Sequence, residues 1–467
     1  MGLVMEYDLD VLYRMVKYAE SLGASYAEAR FHRYSYELVR ADNGSLKDYS
    51  VTSRAGFGVR VLYNNRIGFS ATNSTNTEDL MSAVQNAVAA AKASKKQVTL
   101  AERPYVKGKR TPNVRVDPFS VPPEEKIRIA LETNRAGLGV EGIRSSITML
   151  GIQRDFRSVV SSDAEVTWEV VLVGISHTSV AGEAGSMERL HDSRSMASGW
   201  EFIQNNDWEG FARDISMTAK KALKAPTPPP GRMRVVMDPD LVGLLLHEAF
   251  GHASEGDLVA SGTSILKDKI GMRVASEIVT IVDDGLAMGG YPVPYDDEGN
   301  PKERTVIVEK GVLRGYLTDR ASAPLLGVGV TGNGRAQDFE NAPIVRQTNI
   351  YMEPGEWGVE EQIREARNGL YLSGRGAGGG QVDTGAGTFT FSAGPSYFIR
   401  NGEIGEMVKG VVISGYILET LKSVEAVGKD LRIRTSVFGG CGKNGQLVRV
   451  GDGGPHIMVR EIIVGGR

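Results

Sequence analysis

Apolar residues recur at helical spacing in several parts of the chain. Near the amino terminus they fall three or four apart between Asp8, which can cap a helix, and Gly23, which can end it. The apolar positions of this first helix are Leu9, Leu12, Val16, Ala19 and Leu22. The same reasoning predicts helices over residues 77–94, 122–134 and 212–224.

Short apolar or β-branched segments bounded by turn residues predict strands in both halves of the chain. In the first half they cover residues 27–31, 56–62, 67–69 and 165–180, with turns at 43–44 and 64–65. In the second half they cover residues 233–237, 305–308, 348–351, 388–391, 397–400, 411–413 and 457–463. The predicted fold class is α+β: an N-terminal α+β half with helices packed on antiparallel strands, and a C-terminal half that is mainly antiparallel β.

The sharpest boundary lies at residues 225–231, A-P-T-P-P-P-G, because consecutive prolines prevent both a helix and a central strand. A second, weaker boundary is the polar stretch from Arg103 to Pro118. The expected regions are an N-terminal α+β region over 1–224, which can comprise two units at 1–102 and 119–224, a proline-rich linker over 225–232 and a C-terminal domain over 233–467.

Composition and charge narrow the classes of function. Apolar residues make up 41% of the 467-residue chain and charged residues 24%, as in a folded globular protein. A formal net charge of −3 offers no basic excess, so nucleic acid is not an expected partner. No apolar run reaches the roughly 18 residues that span a bilayer, and the start lacks a signal-like pattern. With a single cysteine, Cys441, and hence no intramolecular disulfide, these features predict a cytoplasmic protein without a membrane partner.

One short segment has the composition of a metal site: His247, Glu248 and His252 form an H-E-x-x-x-H pattern. Histidines four apart lie nearly on one face of a helix, whereas histidines five apart are about 140° out of line. Gly251 allows the backbone to widen into a π-type turn, which would bring the two imidazoles back together. We therefore expect a distorted zinc-binding helix in the C-terminal half.

A catalytic zinc takes three protein ligands and leaves one position for water. The third ligand is one of the four other histidines, a carboxylate, or Cys441, whose flanking glycines would let a thiolate approach a metal. The competing interpretation of Cys441 is a small core residue. Two imidazoles and a thiolate favour zinc, with one ion per chain. Glu248 can then take a proton from the zinc-bound water and pass it to a leaving amine.

Other residues near these motifs have both functional and structural interpretations. Asp257, like Glu255, can orient a metal-binding imidazole or be an ordinary loop carboxylate. The glycine-rich run over 374–381 is not followed by the G-K-S/T of a phosphate loop, which disfavours nucleotide binding. It is either a mobile surface loop or a segment that pairs with a substrate backbone as an added strand. The substrate-binding residues predicted on the second interpretation are Gly378, Gly379 and Gly380.

No residue is singled out as the donor that would stabilise the oxyanion of peptide hydrolysis. Arg335 and Arg346 are candidates, although guanidinium groups in loops are more often exposed or salt-bridged. A structural or solvated role is expected for the remaining histidines, His32, His177, His191 and His456.

Several segments spread along the chain match a known family. They are H-E-A-F-G-H-A-S-E-G-D from His247, T-G-N-G-R from Thr331, V-K-G from Val408, G-C-G-K-N-G-Q from Gly440, and G-A-S-Y-A-E and G-F-G-V-R in the N-terminal region. Over nearly its whole length the chain resembles the TldD branch of the TldD/PmbA metallopeptidases. The resemblance implies zinc ligands at His247, His252 and Cys441 and a catalytic acid at Glu248. It also implies a chamber for unfolded peptides, formed with a paralogous TldE/PmbA-type subunit that lacks the zinc motif; a homo-oligomer is the alternative.

Two functions are compatible with these features. The first is a zinc-dependent endo- or exopeptidase that acts on unfolded or flexible peptides. The second is a non-catalytic modulator in which a structural zinc fastens the helix to the C-terminal β region. A structural site fills all four zinc positions and needs no adjacent base, whereas hydrolysis needs an open position and a base. The presence of Glu248 therefore favours the peptidase.

Overall fold

The computed structural model describes residues 9–183 and 185–466, so the predicted helix cap at Asp8 lies outside the described residues. Strands outnumber helices and most of them pair antiparallel, which confirms the predicted α+β class. None of the helices in the described part of the chain is long and apolar enough to cross a membrane.

The N-terminal half forms one seven-stranded sheet of order β3-β2-β1-β5-β6-β4, in which β7 also pairs with β6. Its strands are β1 (Tyr26–Asp42), β2 (Ser45–Tyr63), β3 (Arg66–Thr72), β4 (Val106–Arg110), β5 (Ile143–Ser161), β6 (Ala164–Glu183) and β7 (Ser186–Met196). Its helices are α1 (Leu9–Ser21), α2 (Thr77–Ala93), α3 (Pro123–Leu138), α4 (Glu201–Gln204) and α5 (Trp208–Ala222). Because β1 pairs with β5, segments 1–102 and 119–224 contribute strands to the same sheet.

The first hairpin turns at Asn43 and Gly44, both with positive φ (48° and 79°), as a two-residue hairpin turn requires. Its strands are much longer than predicted, and β1 has 17 residues. The prediction ended at residue 31 because charged and polar residues follow. In the structure two of these residues, His32 and Glu37, are buried: His32 lies beside residues of the C-terminal half, and Glu37 is paired with Lys126 of α3.

The C-terminal half contains two larger sheets and two short hairpin pairs. Its strands are β8 (Gly231–Met237), β9 (Ile281–Asp283), β10 (Thr305–Glu309), β11 (Val312–Leu313), β12 (Gly334–Arg335), β13 (Ile344–Val345), β14 (Asn349–Met352), β15 (Gly369–Leu372), β16 (Gly380–Asp383), β17 (Thr388–Ser392), β18 (Ser396–Arg400), β19 (Glu403–Val408), β20 (Val411–Tyr416), β21 (Val424–Val427), β22 (Arg432–Thr435), β23 (Cys441–Lys443), β24 (Gln446–Val448), β25 (Gly451–Gly454) and β26 (Ile457–Gly466). Its helices are α6 (Pro239–Leu245), α7 (Gly256–Ser261), α8 (Ser322–Leu326), α9 (Val359–Ala366) and α10 (Ile417–Lys422).

One large core joins the two sheets of the C-terminal half, and α6 lies within it. The nine-stranded sheet has the order β16-β17-β20-β26-β8-β15-β18-β19, with β21 on β26; the six-stranded sheet has the order β11-β10-β9-β14-β25-β22. Leu241, Val242 and Leu245 of α6 are fully buried in that core. The helix that leads to the histidines is thereby held from both sides, which fixes the position of the segment that follows it.

Candidate metal centre

Helix α6 begins where the sequence predicts it. The side chain of Asp238 accepts a hydrogen bond from the backbone N–H of Leu241 at 2.9 Å, and Pro239 occupies the first helical position. The helix runs without interruption into a π-helical turn over Leu246–Gly251. There the N–H of His252 donates to the carbonyl of His247, five residues earlier. The predicted widening is confirmed, and the two imidazole centroids lie 5.2 Å apart.

Gly251 and Gln347 account for the shape of this turn. A Cβ on Gly251 would lie 2.0 Å from Oε1 of Gln347, so no larger residue fits without displacing that side chain. The amide Nε2 of Gln347 donates to the carbonyl of His247 at 3.1 Å, the same carbonyl that accepts from His252. Gln347 therefore supports the wide turn from outside the helix, a contact that the local sequence does not reveal.

Cys441 reaches the histidines from a separate hairpin, β23–β24. The hairpin turns at Asn444 and Gly445, both with positive φ, and places Sγ of Cys441 3.2 Å from Nε2 of His252. One ligand atom from each of His247, His252 and Cys441 lies within 4.8 Å of the others. Within 9–183 and 185–466 this is the one such group of three or more histidine, cysteine or acidic side chains.

The residue before Gln347 secures the cysteine hairpin. Arg346 is fully buried, and its guanidinium donates to the carbonyl of Cys441 at 2.5 Å and to that of Gln446 at 3.2 Å. Adjacent residues at the end of one short strand thus hold both metal-binding segments, Arg346 the hairpin and Gln347 the π turn. Arg335 donates to the carbonyls of Gln347 and Arg449. Both arginines that the sequence offers as oxyanion donors are therefore engaged by main-chain carbonyls.

The three side chains also perturb one another's protonation. Burial raises the pKa of the Cys441 thiol, but hydrogen bonds to His247 and His252 outweigh it and lower the pKa to about 5. Burial lowers the pKa of His252, but Cys441 and Glu255 outweigh it and raise the pKa to about 10. His247 likewise has a raised pKa, because Cys441 outweighs the effect of burial. Without a metal the trio thus holds a thiolate beside protonated imidazole, and a cation can take the place of the protons.

The donor set fits zinc. Two imidazoles and a thiolate are ligands that zinc prefers over hard cations. Nδ1 of His247 is buried and has no hydrogen-bond partner among the described residues, which is costly unless another group occupies that position. These observations support His247, His252 and Cys441 as the residues that would hold a zinc ion.

Two carboxylates follow His252, and they have different contacts. Oε2 of Glu255 lies 3.3 Å from Nδ1 of His252, whereas Asp257 is held by Lys443 at 2.7 Å. Lys443 also contacts Glu255 at 2.7 Å. Glu255 is therefore the carboxylate that orients the imidazole, and the contact of Asp257 with the site runs through Lys443.

Two of the three metal-binding residues, His247 and Cys441, border a cavity of about 290 Å³ between the two halves of the chain. Glu248, half-buried and adjacent to His247 in the π turn, lies on its wall. Further wall residues that the sequence did not single out come from both halves: His191, Asp192, Ser193, Arg434 and Asp452. The glycine-rich run contributes Gly374, Gly376 and Ala377. The predicted Gly378, Gly379 and Gly380 lie just beyond, where their backbones pair with β17.

The histidines without a predicted role are held by protein groups. His32 contacts Asp155 at 3.0 Å, and His177 is bonded by Thr148 and Ser179. His456 contacts Asp430 and Tyr371. The expected structural role fits these three, while His191 differs because it borders the metal cavity.

Three family models match consecutive parts of the chain. The PmbA/TldA metallopeptidase domain 1 matches residues 27–91, the central domain matches residues 116–223, and the C-terminal domain matches residues 230–466. The C-terminal model alone covers half of the chain and includes all three proposed ligands.

Relatives and a solved structure agree with the family models. A metalloprotease of Methanothermobacter thermautotrophicus is 36% identical over 467 residues, covering 99% of this chain and 100% of its own. The zinc metalloprotease TldD homolog of Saccharolobus solfataricus is 30% identical and covers 97% and 100%. TldE from Thermococcus kodakarensis has the same fold, with a TM-score of 0.81 at 20% identity over 98% of this chain and 100% of that one. The chain therefore belongs to the PmbA/TldD metallopeptidase family and is a metal-dependent hydrolase of peptide bonds.

Proposed function

We propose that the protein is a zinc-dependent peptidase that hydrolyses unfolded or flexible peptides, with Glu248 as general base and then general acid. The observation that carries this proposal is the position of Glu248. Glu248 lies on the wall of the same cavity as His247 and Cys441, two of the three metal-binding residues, and no salt bridge to it occurs among the described residues. A purely structural metal site would need neither the cavity nor the free carboxylate.

The roles of the residues follow from this arrangement. His247, His252 and Cys441 would hold the zinc, which when bound supplies Lewis acidity and lowers the pKa of water to about 7. Glu248 accepts a proton from the attacking water and transfers it to the departing amine nitrogen. The wall of the cavity keeps the peptide bond beside Glu248 and limits access of bulk water.

The shape of the cavity favours an extended chain as substrate. A second cavity of about 700 Å³ adjoins the first, and Asp192, Ser193, Arg434 and Thr435 line both. Together they offer a space beside β22 that is larger than a single residue requires. Folded proteins have few segments that can enter such a space in extended form, which supports flexible or unfolded peptides as the substrate class.

The edge of the nine-stranded sheet could bind such a peptide through main-chain hydrogen bonds, with little dependence on the peptide's side chains. Strand β16 is the terminal strand, is mostly exposed, and follows directly on the glycines beside the cavity. A peptide could pair with its free edge as an added strand. Gly378 permits a test, because a Cβ there would meet no atom closer than 3.7 Å. Gly378→Val should weaken peptide binding, and unchanged affinity would exclude this pairing.

We further propose that the working enzyme is an assembly. Its partner would be a paralogous subunit of the TldE or PmbA type, which the fold shared with TldE supports, and a homo-oligomer is the alternative. The assembly would convert the open space beside β22 into a chamber. Light scattering of the protein alone and mixed with a TldE-type paralogue distinguishes the two forms.

The deciding experiment compares wild type, Glu248→Ala and His247→Ala, with and without the paralogue, for bound zinc and for cleavage of a flexible peptide. His247→Ala should lose both, and Glu248→Ala should keep zinc but lose cleavage. Glu356→Gln, a change at an exposed carboxylate, is the matched control and should keep both. If Glu248→Ala cleaves as fast as wild type, the mechanism is wrong, and if wild type binds zinc but cleaves nothing in any assembly, the modulator is favoured.

A further inference from the structure

The cavity beside the metal-binding residues has a wall from the other half of the chain. Strand β7 supplies His191, Asp192 and Ser193 to it, facing a set that otherwise comes from the C-terminal half. Of the three β7 residues, Asp192 forms a salt bridge with Arg375 at 2.9 Å. His191 is thus the imidazole of the cavity wall that does not belong to the metal-binding group.

The orientation of His191 is set by one hydrogen bond. Thr178 lies directly opposite it in the β6–β7 pair, and the Thr178 hydroxyl oxygen is 2.9 Å from Nδ1 of His191. In the part of the chain that the structure describes, Nε2 has no hydrogen-bond partner. When the hydroxyl donates to Nδ1, the hydrogen of the neutral imidazole is on Nε2, which becomes an available donor.

The charge state of His191 is compatible with such a role. Burial, with Arg189 and Arg434 nearby, lowers the pKa of His191 below its usual range, although Asp192 opposes the shift. This lowered pKa favours the uncharged form of the ring. An uncharged imidazole can donate a hydrogen bond close to a cation without the repulsion that an imidazolium would meet.

Peptide hydrolysis is accelerated by such a donor, in addition to the Lewis acidity that zinc would supply. When water adds to the peptide carbonyl, the C=O π electrons move to oxygen, and the negative charge that develops there is stabilised by a preorganised N–H. Arg335 and Arg346 donate to main-chain carbonyls, and Arg434 is paired with Asp240 at 3.1 Å. Outside the metal-binding group, the imidazole and guanidinium side chains that border the cavity are those of His191 and Arg434, and of these two His191 has no salt bridge.

We propose that Nε2–H of His191 donates to the substrate's carbonyl oxygen as it becomes an oxyanion, and that Thr178 fixes the tautomer that makes this possible. The proposal rests on the proposed peptidase function. It makes the active site a composite, with metal ligands and base from the C-terminal half and the oxyanion donor from the N-terminal half. His191 forms no covalent bond and transfers no proton in this step.

The test measures catalysis and the binding of a tetrahedral analogue in zinc-loaded protein. His191→Ala should lower kcat by about 10²–10³-fold, the typical cost of removing one oxyanion donor, with KM changed only a few-fold and zinc content unchanged. Thr178→Val should give part of that loss, and Thr178→Ser, which keeps the hydroxyl, should stay close to wild type. Unchanged kcat in His191→Ala, or a loss confined to KM or accompanied by loss of zinc, would overturn the proposal.

A phosphinic peptide serves as the tetrahedral analogue, and calorimetry measures its affinity. His191→Ala should bind it more weakly by a factor similar to the loss in kcat. An ordinary peptide should bind equally to Glu248→Ala and to the Glu248→Ala, His191→Ala double variant. This comparison needs no turnover, so it tests His191 even if wild type cleaves no peptide, an outcome that would count against the peptidase function itself. Equal phosphinic-peptide affinity in wild type and His191→Ala would exclude the oxyanion role.

Discussion

The interface between the two halves and the metal centre both bury polar side chains, yet they differ in what those side chains contact. At the interface, Arg60 lies 2.7 Å from Glu28 in its own half and 2.7 Å from Glu298 in the other, all nearly inaccessible to solvent. Arg157 joins Asp155 and Asp297 in the same way. Every charge in these pairs meets an opposite charge from the protein.

At the metal centre the polar groups chiefly contact one another. Cys441 lies against His252, and Nδ1 of His247 is buried with no hydrogen-bond partner among residues 9–183 and 185–466. Burying unpaired polar atoms costs free energy, so such a cluster persists where an external group compensates it. Single unpartnered atoms also occur at the interface, at Oε1 of Glu28 and Nε of Arg60, so neither burial nor one unpaired atom indicates a site. What distinguishes the metal centre is that three metal-binding side chains converge on one another.

Removal of a metal ligand should have the largest effect, because it should abolish zinc binding. In Cys441→Ala we expect zinc to fall from about one ion per chain to near zero, because two imidazoles alone give a weak site. Cleavage should fall to the level of zinc-free protein. Elemental analysis of dialysed protein measures the zinc, and His456→Gln is the matched control because Asp430 and Tyr371 already occupy that ring. Full zinc content in Cys441→Ala would show that the third ligand lies elsewhere.

At the interface, removal of a charged side chain should instead lower the stability of the fold and leave zinc binding intact. In Arg60→Met, Glu28 and Glu298 remain buried without their shared cation, and breaking a buried pair in this manner costs about 3–5 kcal/mol. We expect a large downward shift of the urea unfolding midpoint, with zinc binding retained below the transition. Arg54→Met is the control, since its pair with Glu340 is about half exposed and contributes roughly 0–1 kcal/mol. Equal midpoints for the two variants would contradict the assignment of Arg60 as a structural link.

Features that depend on neighbouring residues could be predicted from the sequence, whereas contacts between distant residues could not. The start of α6 at Asp238 and the wide turn at Gly251 follow from local rules on caps, spacing and glycine, and both are confirmed. Gln347 could not be predicted, because its contact with Gly251 joins residues about 100 apart in the chain. The meeting of Cys441 with the histidines was implied by family resemblance alone, since spacing left several third ligands open.

His191 and β1 show a second limit. The sequence around His191 offers no neighbouring motif, and its place in the cavity depends on how the two halves pack. The length of β1 was underestimated for the same reason, because His32, just beyond the predicted strand, is a polar residue that the C-terminal half covers. Polar residues at an interface between distant segments have the same sequence pattern as solvent-exposed residues. Hydrophobic periodicity alone therefore does not predict that they are buried.

His177, unlike His247, is a buried histidine with a hydrogen-bond partner for each ring nitrogen. Both ring nitrogens are bonded by hydroxyls, and burial, with His191 nearby, lowers the pKa of His177 to about 4. Between pH 6.5 and 4 the unfolded chain binds a proton that the folded one does not, so the free energy of unfolding should fall as pH falls, by about 3 kcal/mol at most. Urea unfolding of wild type and His177→Gln across this range measures it. Parallel curves for the two proteins would mean that His177 does not contribute.

The smallest expected effect concerns a charged group within the metal centre itself. Lys443 contacts Glu255, Asp257 and the carbonyl of Val345, and it lies two residues after Cys441. Lys443 therefore links Glu255, which orients His252, to the hairpin that carries Cys441. Like Arg60 at the interface, it joins two segments of the chain through salt bridges. In Lys443→Met, Glu255 loses its cation and holds the imidazole less firmly, and we expect zinc affinity to fall about 10–100-fold, as for other outer partners of metal ligands.

Competition with a chromophoric chelator measures that affinity, and Lys429→Met, at an exposed position, is the control. Glu255→Gln should lower the affinity to a similar degree, because it weakens the same contact from the other side. The double variant should then lose little more than either single one, since both changes interrupt one chain of contacts. Additive losses would instead mean that Lys443 acts on the cysteine hairpin independently of Glu255. The centre would in that case be two separately supported segments that meet only at the metal.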